Sequence, residues 1–194
     1  MKKLITILVM LSFSIITFCQ EFDTIPLRSI FIDNFCLGDN INKLKDVFGK
    51  PSDIKYNIKD NAIENSEPSK NIYYFGENYF SEPFEISTGK IGEFNINTKD
   101  YDMTLMLLIN NDTLTFRIGD KLNLKSLKKR LPYSANSSQY FYSEDKKKKG
   151  YAYVTLKISH QNEFFKYPYS LINTLNITYK DSCLSSFTTY YYKE

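Results

Sequence analysis

Histidine is the side chain most often used to move protons near neutral pH, and it occurs once in this chain, at His160. Any Ser-His-Asp or Cys-His arrangement would have to be built around that residue. Its neighbours Gln161 and Asn162 place it in a loop at a strand end, where an exposed hairpin histidine is the expectation. A zinc site needs clustered cysteine and histidine, and His160, Cys36 and Cys183 show no such spacing. None of the seven glycines lies in a phosphate-cradling loop. Carboxylates are plentiful, and two brought together by the fold could carry out acid–base hydrolysis, but nothing in their spacing singles out a pair. The residues point to no catalytic group, no cofactor and no metal, and a hydrolase using paired carboxylates is the least favoured class.

Contact chemistry is better represented. Lys146, Lys147, Lys148 and Lys149 form an unbroken cationic run. Such a run reads first as a solvated hairpin tip whose like charges discourage edge pairing, and second as a contact for an anionic surface, either a membrane or an acidic partner. Lys125, Lys128, Lys129 and Arg130 form a second basic group. There are 16 tyrosines and 15 phenylalanines but no tryptophan. Strand alternation must send some of these tyrosines outward, and tyrosine suits interfaces because it joins a rigid apolar ring to one polar tip. Tyr151 and Tyr153 stand beside the lysine run and, with Lys146 to Lys149, make the candidate partner-binding surface. Sheets favour tyrosine in any case, so this composition alone does not make a surface.

The elements that must position these groups begin after an unusual start. Met1-Lys2-Lys3 is followed by an almost wholly apolar run from Leu4 to Phe18. A basic start and a short apolar stretch describe a secretory signal peptide over residues 1–19, cleaved before Gln20; the run is short for a membrane span. Cys19 offers the alternative of a lipid-anchored chain, although that signal wants a small residue where Phe18 stands. Without Lys2 and Lys3, 23 basic residues face 22 acidic ones, a balance that disfavours a nucleic-acid binder. An exported location permits a disulfide, and Cys36 with Cys183 allows one connectivity.

Two stretches share a pattern. Residues 35–51 read FCLGDNINKLKDVFGKP and residues 116–132 read FRIGDKLNLKSLKKRLP. In each, an apolar strand end meets Gly-Asp, and Asp39, Asn40 or Asn42, like Asp120 or Asn123, stands ready to cap a helix. Ile41, Leu44, Val47 and Phe48 then line one helical face, as do Leu124, Leu127 and Leu131. Gly49, Pro51 and Pro132 end the helices. Residues 20–29 read as a leader. Strands are expected at 30–37, 54–58, 71–80, 84–87 and 91–96, then at 103–109 and 114–118 around an Asn-rich turn. Further strands are expected at 139–143, 151–159, 171–179 and 184–192. Ala152, Val154, Leu156 and Ile158 alternate most clearly, giving an inward face opposite Tyr151 and Tyr153. The fold class is α+β: two tandem helix-plus-antiparallel-meander repeats, 30–109 and 110–194, packed as a helix-on-sheet body.

The Gly38-Asp39 to Val47-Phe48-Gly49-Lys50-Pro51 stretch resembles a family of exported bacterial modules. These are the repeats of the beta-lactamase inhibitor protein and the related small outer-membrane assembly lipoproteins, in which Gly, a helix and Gly-x-Pro lead into an antiparallel meander. The second copy keeps Gly119 and Pro132 but has Arg130 where the late glycine belongs. The resemblance implies a module that binds proteins and performs no catalysis, and it carries over no contact residue. The expectation is an exported protein-binding module of the cell envelope, with a structural or lipid-anchored envelope component as the alternative and peripheral contact with an anionic membrane as a secondary role.

Overall fold

The computed structural model describes residues 22–59, 69–82, 89–97, 99, 102–136, 140–141, 150–159 and 171–193. The signal segment with Cys19, His160 and the Lys146 to Lys149 run lie outside these residues.

Short strands β1 (Thr24–Pro26), β2 (Ile30–Ile32) and β3 (Phe35–Cys36) lead into helix α1 (Ile41–Phe48), then strands β4 (Asp53–Lys59), β5 (Ser69–Phe75), β6 (Asn78–Ser81) and β7 (Glu93–Ile96). A hairpin of β8 (Thr104–Ile109) and β9 (Asp112–Arg117) precedes helices α2 (Leu124–Arg130) and α3 (Pro132–Asn136). Strands β10 (Tyr140–Phe141), β11 (Tyr151–Ser159), β12 (Leu171–Lys180) and β13 (Cys183–Lys193) close the chain. The described strands form two sheets. One has the order β1-β11-β12-β13-β7-β6-β5-β4 with β10 also on β11, and the other has the order β3-β2-β8-β9. The class is therefore α+β with mainly antiparallel pairing.

Several elements differ from the sequence reading, each for a local reason. The expected leader is structured: β1 pairs in parallel with β11, setting Ile25 beside Ile158, and Ile25 and Leu27 are core residues. Pro26 fits there because β1 is an edge strand. Residues 30–37 are two strands, since Asp33 turns the chain at φ 51°. Residues 71–80 are likewise two strands, folded back at Gly76 with φ 63°. Pro132 ends α2 and also begins α3, using the first-turn position where its missing N–H is harmless. The turn expected over 110–113 is tighter, Asn110-Asn111 alone with φ 50° and 66°, the doubly positive pair that a two-residue hairpin requires.

The two Gly-Asp bends make the same bonds. Gly38 and Gly119 both have φ 95°, a value at which any side chain is strained. Gly38 N–H donates to Ile91 O at 2.8 Å and Gly119 N–H to Leu184 O at 2.8 Å. Ile91 N–H returns a bond to Asp39 O, and Leu184 N–H to Asp120 O. Asp39 Oδ2 accepts from Cys36 N–H at 3.3 Å, and Asp120 Oδ2 from Arg117 N–H at 2.7 Å. Asn40 caps α1 through Lys43 N–H and Asn123 caps α2 through Ser126 N–H. The second helix starts two residues later after its bend.

Between the sheets lies one apolar core. Phe80 is its hub, fully buried and in ring contact with Phe35 at 5.8 Å, Phe48 at 5.4 Å, Phe75 at 5.8 Å and Phe94 at 6.3 Å. Phe35 comes from the four-stranded sheet, Phe48 from α1 and the rest from the nine-stranded sheet, so this cluster joins three layers. The contact of Phe94 with Phe187 at 6.1 Å carries the cluster across the β7–β13 seam.

Where β2 meets β8, Asp33 exchanges bonds with Thr104: its N–H donates to Thr104 O at 2.8 Å and its Oδ1 accepts from Thr104 N–H at 3.1 Å. Burial raises the Asp33 pKa above 3.8, against the lowering effect of the Thr104 bonds. A carboxyl raised on folding contributes stability below its unfolded pKa, and that contribution is lost as pH rises through the folded value. Asparagine keeps the Oδ1 acceptor, tolerates positive φ and carries no charge. Asp33→Asn should therefore raise the melting temperature relative to wild type at pH 7, with the advantage shrinking at pH 3; thermal melts at the two pH values check it.

Candidate functional site

The nine-stranded sheet turns Ala152, Val154, Leu156 and Ile158 of β11 into the core, as the alternation foretells. Tyr151 and Tyr153 therefore stand on the other face. Their rings stack at 6.3 Å with an interplanar angle of 15°, and Tyr151 is 39% exposed. Lys180 of the neighbouring strand places its ammonium 5.8 Å from the Tyr151 ring, a cation–π arrangement.

A row of uncharged polar side chains crosses this face. The register sets Tyr74 beside Tyr79, Tyr79 beside Asn95, Asn95 beside Thr188, Thr188 beside Asn176 and Asn176 beside Thr155. Thr188 Oγ1 donates to Asn95 Oδ1 at 2.9 Å, tying β7 to β13. Tyr74 and Tyr79 are in ring contact at 5.8 Å. Burial, followed by the nearby Glu93 carboxylate, pushes the Tyr79 phenol up, so it stays protonated and can donate at physiological pH.

Two charged groups of this region, Lys70 and Glu93, are engaged with one another. Glu93 Oε2 accepts from Lys70 Nζ at 2.5 Å and from Ser81 Oγ at 2.7 Å, with the Lys70 and Glu93 side chains only 15% and 7% exposed. The Ser81 hydroxyl is wholly buried and directed at Glu93, which leaves no path for it to attack a substrate. The other buried carboxylate, Glu82, accepts from Tyr73 Oη at 2.7 Å and Asn71 Nδ2 at 3.1 Å. Lys70 and Tyr73 are of opposite parity on β5, so the two carboxylates lie on opposite faces of the sheet and form no acid–base pair. Among the described residues no three His, Cys, Asp or Glu side chains are grouped to hold a metal.

Comparison with family models, curated proteins and solved structures finds no match to this chain. The site must be read from its own geometry.

Cys36 and Cys183 are both free thiols, so the disulfide that the sequence permits does not form. Each belongs to a different bend: Cys36 precedes Gly38, while Cys183 bridges to Lys121. The bends attach at Ile91 and Leu184. The Asn95–Thr188 register separates those positions by roughly eight strand residues, ~25 Å, far beyond disulfide reach. The Cys36 thiol donates weakly to Arg28 O and Leu37 O, and burial raises its pKa while Arg28 opposes the shift. Cys183 is exposed. Iodoacetamide should therefore label Cys183 in the folded protein and reach Cys36 only after denaturant is added, because the reactive species is the accessible thiolate; peptide mapping before and after urea checks this.

The polar row was missed by the sequence reading. Each strand's alternation was visible, but the row is assembled from residues on six strands whose order the sequence does not print.

Proposed function

We propose that this chain is an exported, non-catalytic protein-binding module of the bacterial cell envelope, built from two copies of one unit. The observation that carries the binding assignment is the open sheet face, where the stacked Tyr151–Tyr153 pair adjoins the uncharged row from Tyr74 to Thr155. Tyrosine, asparagine, serine and threonine are the composition of adaptable protein-recognition surfaces. The wholly buried Ser81 and the separation of Glu82 from Glu93 favour recognition over hydrolysis.

The duplication rests on the matching bends and on the seams. Counting from Gly38 and Gly119, Phe35 corresponds to Phe116; counting from Ile91 and Leu184, Phe94 corresponds to Phe187 and Asn95 to Thr188. Asn95 pairs with Thr188 across β7–β13, and Ile32 and Leu105, the hairpin partners of Phe35 and Phe116, pair with each other across β2–β8. Pairing of counterparts in antiparallel strands is what a two-fold axis between two units produces. On this reading the β8–β9 hairpin matches β2–β3, and the units divide between residues 97 and 103 rather than after residue 109.

Capture from envelope extract tests the surface, with the wild-type chain, Tyr151→Ala/Tyr153→Ala and a control, Lys45→Ala on exposed α1, as baits. A protein retained by wild type and control but lost with the tyrosine variant supports the assignment. Equal retention by all three overturns that surface.

A further inference from the structure

We infer that the surface carrying α2 and α3 rests against an anionic phospholipid membrane. Lys121, Lys125, Lys128, Lys129 and Arg130 are all exposed, and no acidic residue follows Asp120 until Glu144. Among these five, only Arg130 has an acidic partner within the described residues, Asp112 at 3.0 Å. Leu127 and Leu131 turn into the core, which leaves the lysines outward. Clusters of this size are what negatively charged headgroups attract. Tyr133 follows at once on α3, 53% exposed, and an exposed tyrosine beside a basic cluster is suited to the headgroup layer.

The second observation is where the described residues begin. Asp23 N–H donates to Ser134 Oγ at 2.9 Å, and Ser134 N–H donates to Asp23 Oδ2 at 2.8 Å. This reciprocal pair ties the first described residues to the turn of helix beside Tyr133. The apolar run Leu4 to Phe18 ends five residues before Asp23 in the sequence. On the lipid-anchored alternative, Cys19 stands four residues before Asp23 and an acyl group there would hold the basic, tyrosine-bearing surface at a bilayer, which favours a membrane over an acidic protein as its occupant. Leu131 and Ala135 share the core with Ala152 and Val154, so Tyr151 and Tyr153 face away from this surface. The bilayer would lie on one side and the protein partner on the other. The inference rests on the export reading for the presence of such a membrane; the lipid-binding test below does not depend on the capture experiment.

Sedimentation of the full-length chain with phosphatidylcholine vesicles, with and without phosphatidylglycerol, tests it. The apolar N-terminal run contributes to both lipid mixtures, so the difference between them isolates headgroup charge. Phosphatidylglycerol should strengthen binding, and Lys125→Glu/Lys128→Glu/Lys129→Glu should reduce that gain by about a hundredfold. Tyr133→Ser should weaken binding several-fold, while Lys43→Glu/Lys45→Glu on α1 should leave the gain in place. All these side chains are exposed, so unchanged thermal melts confirm that each variant is folded. Absence of a phosphatidylglycerol preference, or equal loss in the α1 control, overturns the inference. Binding to polyglutamate without that lipid preference assigns the patch to an acidic protein and also overturns it.

Discussion

Phe80→Ala should lower unfolding stability by about 4 kcal/mol, the largest effect expected of any single truncation among the described residues. The ring is fully buried and touches Phe35, Phe48, Phe75 and Phe94. Its removal subtracts the transfer free energy of a phenyl group and leaves a cavity that four rings from three layers cannot all move to fill. The edge-on contacts with Phe35 and Phe75 add to the area term. Phe80→Leu restores much of the volume but not the ring geometry, and should lose roughly half as much. Urea titration followed by circular dichroism measures both variants. A loss under about 1 kcal/mol for alanine would mean that the three layers do not depend on this residue.

The second large effect is expected at the Lys70–Glu93 pair. Lys70→Met leaves the Glu93 carboxylate buried without its cation, and should lower stability by about 3 kcal/mol. Glu93→Gln removes the charge from the other side while keeping an acceptor for Ser81. The double variant Lys70→Met/Glu93→Gln should recover much of the loss, because a neutral pair avoids the desolvation that makes a half-removed pair so damaging. The four stabilities form a double-mutant cycle, and a coupling of about 2 kcal/mol is expected. Additive losses would show that the two side chains act independently. Glu93 shares the face of Asn95 and Lys70 that of Tyr74, so the same variants also ask whether the polar row needs this pair to hold it in place.

Local chemistry was legible in the sequence wherever a residue type has one conformational use. The Gly-Asp bends, a helix cap among Asp39, Asn40 and Asn42 and at Asp120 or Asn123, an Asn-rich turn within 110–113 and the inward side of β11 all follow from backbone preferences or alternation. What could not be read was decided at a distance. Thr24–Pro26 is a strand only because β11 offers an edge to it. The turns at Asp33 and Gly76 were absorbed into longer apolar runs, since a single turn residue is a weak interruption beside strong strand formers. The order of the strands is set by which edges remain free once each meander has formed, so the polar row and the placement of Cys36 and Cys183 on separate bends came only with the coordinates.

The position of β13 has a consequence for how the protein is made. The last described strand lies in the interior of the larger sheet, between β12 and β7, and is the only described strand joining the two groups. Until it emerges, β7 and β12 each present a raw border, the kind of border that recruits strangers. A protein handed over from its N-terminus cannot complete this sheet until residues 183–193 arrive, and a clip that removes them would leave two adhesive edges in place of one finished surface.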